Sequence, residues 1–287
     1  MAATNYLTQQ GKSVICIEAD NHIGGRVYTD NSIFGVPYDL GAHWIESSEK
    51  NPYKIYGEKN KNEFNVYPEG EEKYAYYEGD KRLIWPEDKE VWTVYDAAEA
   101  AIVKTKKDIA PIEVVQNKNS EYYDTAHTII GPYVLAKDYS HYSCKDFNDA
   151  EWGAGKEWHC QQGYGTLVAH RWKGIPVKLN TKAKEIKWDG HGVKVETNNG
   201  TISAKTCVVT VSTGVLNAKK IKFTPDLSPE KYESFSGISM GVYNHISLQF
   251  KKNFFDVKEK DSYLYYKIES QNSPSPKGFV GFLNSSG

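Results

Sequence analysis

Hydrophobic and polar positions recur at different periods along the chain, and each change of period marks an element. Ala2 to Gln10 reads as the end of an amphipathic helix, stopped by Gly11. Ser13-Val-Ile-Cys-Ile17 is a short β-branched run closed by Glu18, which predicts a buried strand of the parallel type. Past Gly24-Gly25, Arg26 to Thr29 is expected to be extended, Phe34-Gly-Val-Pro37 to turn, and Tyr38 to Ile45 to follow. Strand-like pieces around Phe64–Tyr67, Lys73–Tyr77 and Arg82–Trp85 precede a helical stretch near Val91–Lys107. Residues 111 to 160 show no clear period.

Order returns at Gln162-Gly-Tyr-Gly-Thr-Leu-Val168, a glycine turn opening a helix. A run of β patterns follows: Val177–Asn180, Ala183–Trp188, Gly192–Thr197, Thr201–Ala204 and Thr206–Val211. Asn198-Asn-Gly200 between alternating segments is a hairpin signal. Further strands are expected beyond residue 217, notably Val242–Phe250. A βα start, a long irregular insertion and a meander returning to an apolar strand predict an α/β fold. Its nucleotide-binding domain is split in sequence by a second domain.

The 287 residues suffice for two domains or one large one, and the net charge of −2 comes from dispersed charges. That balance argues against a nucleic-acid partner or a polybasic membrane segment. No apolar run reaches membrane-span length and no signal peptide is visible, which makes a cytoplasmic location the default expectation. The four cysteines do not form a disulfide scaffold; Cys16 and Cys207, inside apolar runs, are expected to be buried thiols. His141, Cys144, His159 and Cys160 have poor spacing for a zinc site, so no metal is expected. The 21 tyrosines and 7 tryptophans fit half-buried strands and leave open a site lined with rings.

The strongest candidate chemistry lies at Glu18-Ala19-Asp-Asn-His-Ile-Gly24-Gly25-Arg26. An acid closing a strand can accept hydrogen bonds from an adenosine ribose, two glycines let backbone approach a ligand, and an arginine reaches phosphate in a bidentate way. The glycine loop that accompanies such an acid normally lies about 20 residues upstream, which places it before Met1.

Glu18-Ala-x4-Gly-Gly-Arg26-x2-Thr29, followed by Asp39-Leu-Gly-Ala-His-Trp44, resembles the flavin-containing amine oxidases, the family of polyamine and monoamine oxidases. Gly163-Tyr-Gly-Thr-Leu167, Leu179-Asn-x4-Glu-Ile186 and Val211-Ser-Thr-Gly-Val-Leu216 fall in the family's order. The resemblance covers nearly the whole chain and is patchy between residues 50 and 150. It implies FAD, a discontinuous Rossmann-like FAD-binding domain (residues 1–60 and 160–220) and an α+β substrate domain with a mixed sheet (61–159 and 221–287). It also implies where individual residues act. Glu18 and Ala19 lie at the ribose, Gly24, Gly25 and Arg26 at the pyrophosphate, and Leu40, Gly41, Ala42, His43 and Trp44 along the isoalloxazine. Ala183 lies at the adenine, and Ser212 and Thr213 near the cofactor.

The implied reaction is oxidative deamination of a primary or secondary amine, giving imine and peroxide. Glu46 takes the acidic substrate-binding position, and His245 falls where the family usually has a lysine near flavin N5. The upstream glycine loop and the family's C-terminal segment are not recognised, so the chain is expected to be an incomplete portion that retains little flavin alone. Two rivals accompany this reading: a non-catalytic relative or fragment, and another flavoprotein of the same architecture, of the desaturase or protoporphyrinogen oxidase type. Oligomeric state is not readable.

Overall fold

The computed structural model describes residues 1–69, 74–150, 153, 155–244, 246–252, 262–268 and 280–283. In chain order the first elements are α1 (Ala2–Gln9), β1 (Cys16–Ile17), β2 (Thr29–Asp30), β3 (Tyr38–Asp39), α2 (Pro52–Lys59), β4 (Val66–Pro68), β5 (Tyr74–Glu78) and β6 (Lys81–Leu83). The helical insertion follows as α3 (Lys89–Lys104), α4 (Pro111–Val114), α5 (Tyr123–Thr128), a π-helical turn (Ile129–Tyr133) and α6 (Cys144–Asp149). Then come β7 (Trp158–Cys160), α7 (Tyr164–Arg171), β8 (Val177–Lys178), β9 (Ala183–Gly190), β10 (Gly192–Thr197) and β11 (Gly200–Ala204). The last are α8 (Thr213–Asn217), β12 (Lys222–Thr224), α9 (Pro229–Gly237), β13 (Ser262–Tyr266) and β14 (Val280–Leu283).

The sheets are mixed. One has the order β11-β10-β9-β12, with β9 and β12 parallel; its hairpin closes at Thr197↔Gly200, the Asn-Asn-Gly turn expected from the sequence. A second has the order β14-β13-β5-β6, with β13 parallel to β5. Short pairs β1-β8 and β4-β7 join segments far apart in sequence, and β2-β3 is a local hairpin. Helix α3 supplies Val91, Val94, Ala98 and Ile102, spaced three and four apart, to the core of the insertion. There they meet Tyr76, Leu83 and Tyr122 at one end, and Ile130, Tyr139 and Cys144 at the other.

Three expectations are corrected. The strand foreseen from Ser13 to Glu18 contracts to Cys16–Ile17 and is not buried: Ile15 is 53% exposed. Among the described residues β1 is paired on one edge only, by β8. Thr206–Val211 and the described part of Val242–Phe250 carry no strand, because no partner among the described residues supplies a ladder; Val208 is 66% and Ile246 91% exposed. Cys207 is accordingly exposed and Cys16 half-buried, whereas Cys144 and Cys160 are the buried thiols. The aperiodic stretch from 111 to 160 holds three short helices and a π-turn, too brief to show a period.

Candidate active site

At one end of the site, β1 delivers Glu18 to a turn tied down by backbone. Glu18 N–H donates to the carbonyl of Lys178, and the carbonyls of Glu18 and Asp20 accept from Thr181 and Asn180 at 2.8 Å each. This leaves the Glu18 carboxylate near the surface, where it accepts a local hydrogen bond from Asp20 N–H at 2.9 Å. The loop then bends through Gly24 and Gly25, both at positive φ, and a Cβ on Gly24 would stand 2.3 Å from the Val27 carbonyl. Arg26 follows with an exposed side chain. A cleft of about 470 Å³ opens beside the loop, lined among others by His22, Ile23, Tyr28, Thr166, Val177 and Leu179. An accessible carboxylate, an exposed guanidinium and a glycine backbone without a side chain in the way are donors and acceptors suited to the ribose and diphosphate of a dinucleotide.

From Arg26 the chain runs into a hairpin. Thr29 and Asp30 pair with Asp39 and Tyr38, and the ladder continues as Leu40 N–H donates to Tyr28 and Ala42 N–H to Arg26. Gly41 lies so close to this strand that a Cβ would stand 1.8 Å from the Arg26 carbonyl. The glycine is thus demanded by the hairpin itself, whatever else approaches it.

The hairpin also holds α7. The Asp39 carboxylate accepts from Tyr164 N–H at 2.9 Å and Gly165 N–H at 3.1 Å, and from the Thr29 hydroxyl at 2.5 Å. The Thr29 Oγ1 in its turn accepts from Thr166 N–H. Three of the donors at the start of a helix are thereby satisfied by residues from another part of the chain. Gly163 and Gly165 permit the approach, since a Cβ on either would stand 2.3 Å from Thr29 atoms.

At the far end of the hairpin Ile45 pairs with Trp158 of β7, and β7 pairs with β4 in the register Val66↔Cys160, Tyr67↔His159, Pro68↔Trp158. Side chains alternate across such a ribbon. Ile45, Val66, Trp158 and Cys160 turn to the core with Phe64, Tyr164 and Leu167. The opposite face carries two rows. One row is aromatic: the rings of Tyr67 and His159 lie 5.7 Å apart, His159 and His43 are near-parallel at 6.5 Å, and His43 meets Trp44 at 3.7 Å. The other row is acidic. Glu69 N–H donates to the Glu157 carbonyl at 2.8 Å, which extends the register by one step and sets the two glutamates opposite each other. Glu46, one residue past Ile45, adds its charge from the third segment.

Burial pushes the Glu157 carboxyl up to about 7, and the carboxylates of Glu69 and Glu46 add to the rise. Glu69 is 7% exposed, with His159 Nε2 at 3.6 Å. Tyr133, from the π-turn, also feels Glu157 and Glu69, and its hydroxyl is pushed up mainly by burial.

The remaining residues expected at the site lie apart from this ribbon. Ala183 opens β9, paired with Thr197. Ser212 caps α8, its hydroxyl accepting from Val215 N–H, and the Thr213 hydroxyl points to the Met240 sulfur at 3.4 Å. His245 lies outside the described residues. Glu69, Glu157, His159 and Tyr133 were not foreseen. Their signal is the alternation of Glu157-Trp-His-Cys160 against Val66-Tyr-Pro-Glu69, legible only once the register is known. Among the described residues no group of three His, Cys, Asp or Glu side chains has metal-site geometry. No helix there is long and apolar enough to cross a membrane.

Comparison with known proteins gives a consistent picture. The model of the family described as flavin containing amine oxidoreductase matches residues 1–112 and 119–282. Polyamine oxidase 3 of Oryza sativa subsp. japonica is 28% identical over 89% of this chain and 58% of its own length. Lysine-specific histone demethylase 2 of Homo sapiens is 25% identical over 90% of this chain and 34% of its own. Among solved structures, cyclohexylamine oxidase from Brevibacterium oxydans IH-35A superposes with a TM-score of 0.61 at 20% identity, covering 82% of this chain and 60% of that one. A putrescine oxidase bound to putrescine gives 0.58 at 16% identity with the same coverage. The chain thus spans a little over half the length of the oxidases it matches.

Proposed function

The chain belongs to the family of flavin containing amine oxidoreductases, and on that premise we propose that it carries the nucleotide-binding loop and the amine-facing wall of an FAD-dependent amine oxidase. The reaction would be oxidative deamination of a primary or secondary amine, with oxygen reduced to peroxide. The observation that carries this reading is the acidic row beside the aromatic row, reached from the Glu18–Arg26 loop along one continuous hairpin. A carboxylate beside ring faces suits a cationic amine and disfavours an apolar polyene.

In this reading Glu18 holds the ribose of FAD, and Arg26 with the Gly24–Gly25 backbone holds the diphosphate. FAD, when bound, supplies the acceptor for a hydride equivalent from the carbon next to nitrogen. The chain's own groups bind and orient: Leu40 to Trp44 run along the isoalloxazine, Glu46 attracts the ammonium, and His159 and Tyr67 bound the site. His245 would hold or move a proton, its imidazole replacing a lysine. The proposal includes a division of the chain into 1–60 with 160–220, and 61–159 with 221–287. The β1-β8 pair and the Asp39 cap of α7 support the first unit and the β5-β13 pair the second, while the β9-β12 pair runs across the boundary at 220.

The test is peroxide release across monoamines, diamines, polyamines and amino acids, with flavin retention measured on the same preparation. Glu18→Ala and Arg26→Ala should each weaken FAD binding roughly tenfold or more, the worth of a charge-assisted hydrogen bond. Unchanged retention in both removes the cofactor assignment. A second reading, a relative that has lost turnover, is favoured by histidine at position 245. It predicts flavin binding without peroxide from any amine.

A further inference from the structure

We propose that Glu69 and Glu157 share a single proton, and that this carboxyl–carboxylate pair makes cation binding at the acidic row release a proton. The second half rests on the amine reading above; the first rests on strand register, burial and neighbouring charge, independently of that reading.

The register of β4 and β7 leaves the pair little choice of position. Tyr67↔His159 and Pro68↔Trp158 are cross-strand partners, and the 2.8 Å bond from Glu69 N–H to the Glu157 carbonyl carries the ladder to the next step. Side chains directly opposite in an antiparallel pair have Cβ atoms about 5 Å apart, and like charges there repel. The Glu69 side chain is 8% exposed, so water screens that repulsion poorly. The core holds the other face of the ribbon through Val66, Trp158 and Cys160, so the strands cannot slip to separate the acids without moving every side chain to the wrong face. One proton between the two carboxyls replaces the repulsion with a hydrogen bond.

The surroundings say which acid carries it. His159, with a side chain 8% exposed, puts Nε2 3.6 Å from the Glu69 carboxylate; it also draws Glu157 toward its charged form, but by less than Glu69 and Glu46 push it the other way. Glu157 has Glu46 on its other side, which favours its neutral form. Tyr133 faces both from the helical insertion, with Tyr243 and Tyr265 near it, and no charge from these phenols opposes the arrangement. The Lys54 ammonium sits over the Trp158 ring, which belongs to the core face of β7. Protonated Glu157 therefore sits between two charged carboxylates.

An ammonium arriving beside Glu46 adds positive charge to this row and favours the ionised form of Glu157. The balance is one cation bound and about one proton passed to solvent. Binding of a cationic amine then tightens as pH rises through neutrality.

The experiment is a pH titration of the full chain labelled with ¹³C at glutamate Cδ. One glutamate should titrate near neutrality; the signal should vanish in Glu157→Gln and move back toward the ordinary carboxylate range in Glu69→Gln. Titration of every glutamate in the ordinary range, or a neutral-range signal that survives both substitutions, overturns the shared proton. Calorimetry with putrescine at about pH 6, where Glu157 still holds most of its proton, in buffers of different ionisation enthalpy then tests the coupling: up to one proton released per diamine in the parent chain and none in Glu157→Gln. Equal release in both overturns the coupling. If the neutral titration is present and putrescine gives no heat, the shared proton stands and the amine reading fails.

Discussion

Replacing Asp39 by alanine should unfasten helix α7 from the hairpin, and the size of the effect follows from the hydrogen bonds that its carboxylate makes. Asp39 accepts two backbone N–H groups at the start of α7 and the Thr29 hydroxyl. Removing a helix N-cap costs about 1–2 kcal/mol, and a hydrogen bond to a charged group is worth roughly 1.5–3 kcal/mol. These bonds share one carboxylate and do not add fully, so Asp39→Ala should cost about 3 kcal/mol. Asp39→Asn keeps an acceptor and removes the charge, for about half that. Thr29→Val removes the inner link to Thr166 N–H and should cost about 1–2 kcal/mol. The double variant should fall short of the sum by about 1 kcal/mol, since both residues belong to one network. Helix α7 is 8 residues long, too short to persist without its cap and packing. Urea unfolding followed by tryptophan fluorescence reads the destabilisation directly, because Trp158 and Trp172 pack against the cluster that α7 completes. A cost below about 0.5 kcal/mol for Asp39→Ala, or full additivity with Thr29→Val, would refute the reasoning.

Other outcomes follow from the same structure. Gly165→Ala would set a Cβ 2.3 Å from Thr29 N, with backbone rather than a yielding side chain in the way, and should destabilise by about 2–4 kcal/mol in the same assay. Glu157 has its ordinary value of 4.5 in the unfolded chain and about 7 in the folded one, so between those limits the folded chain binds the extra proton. Stability should therefore fall as pH rises from 4.5 to 7, and Glu157→Gln should flatten that slope in denaturation curves taken across the window. With a thiol reagent at pH 8, Cys207 should react first and the buried Cys144 and Cys160, the latter pushed up to about 11, last; a fast phase that survives Cys207→Ser contradicts the assignment. If the amine reading holds, Glu46→Gln should raise the KM for amines about tenfold and change kcat less.

What the sequence disclosed depended on how local the determining interaction is. The hairpin at Asn198-Asn-Gly200, helix α3 and the glycine stop after α1 are encoded within a few residues, and each lies within a few positions of its expected place. Helix α2 had a readable start, Asn51 capping before Pro52, with its side chain accepting from Tyr53 N–H. It was missed because its apolar face is weak. The β-branched runs at 206–211 and 242–250 look like strands in isolation, but a strand exists only with a partner, and none occurs among the described residues. The loop from Glu18 to Arg26 and the segment from Asp39 to Glu46 announced themselves by residue type. Glu69, Glu157 and His159 did not, since neither glutamate stands in a motif and only the β4-β7 register brings them together.

The Asp39 cap also bears on the order in which the molecule comes together. Its partners lie 125 residues further along the chain, and closing a loop of that length costs about 4 kcal/mol of chain entropy beyond a fixed term. No single contact at the closure outweighs that cost with margin to spare. The cap, the Ile45–Trp158 bridge, the β4-β7 ribbon and the β1-β8 pair all shut the same long loop, so whichever forms first makes the others inexpensive. The intervening helices, whose contacts are local, are free to form earlier. The segments on either side of that loop are then expected to lock together late and cooperatively, and the acidic row comes into existence only when they do.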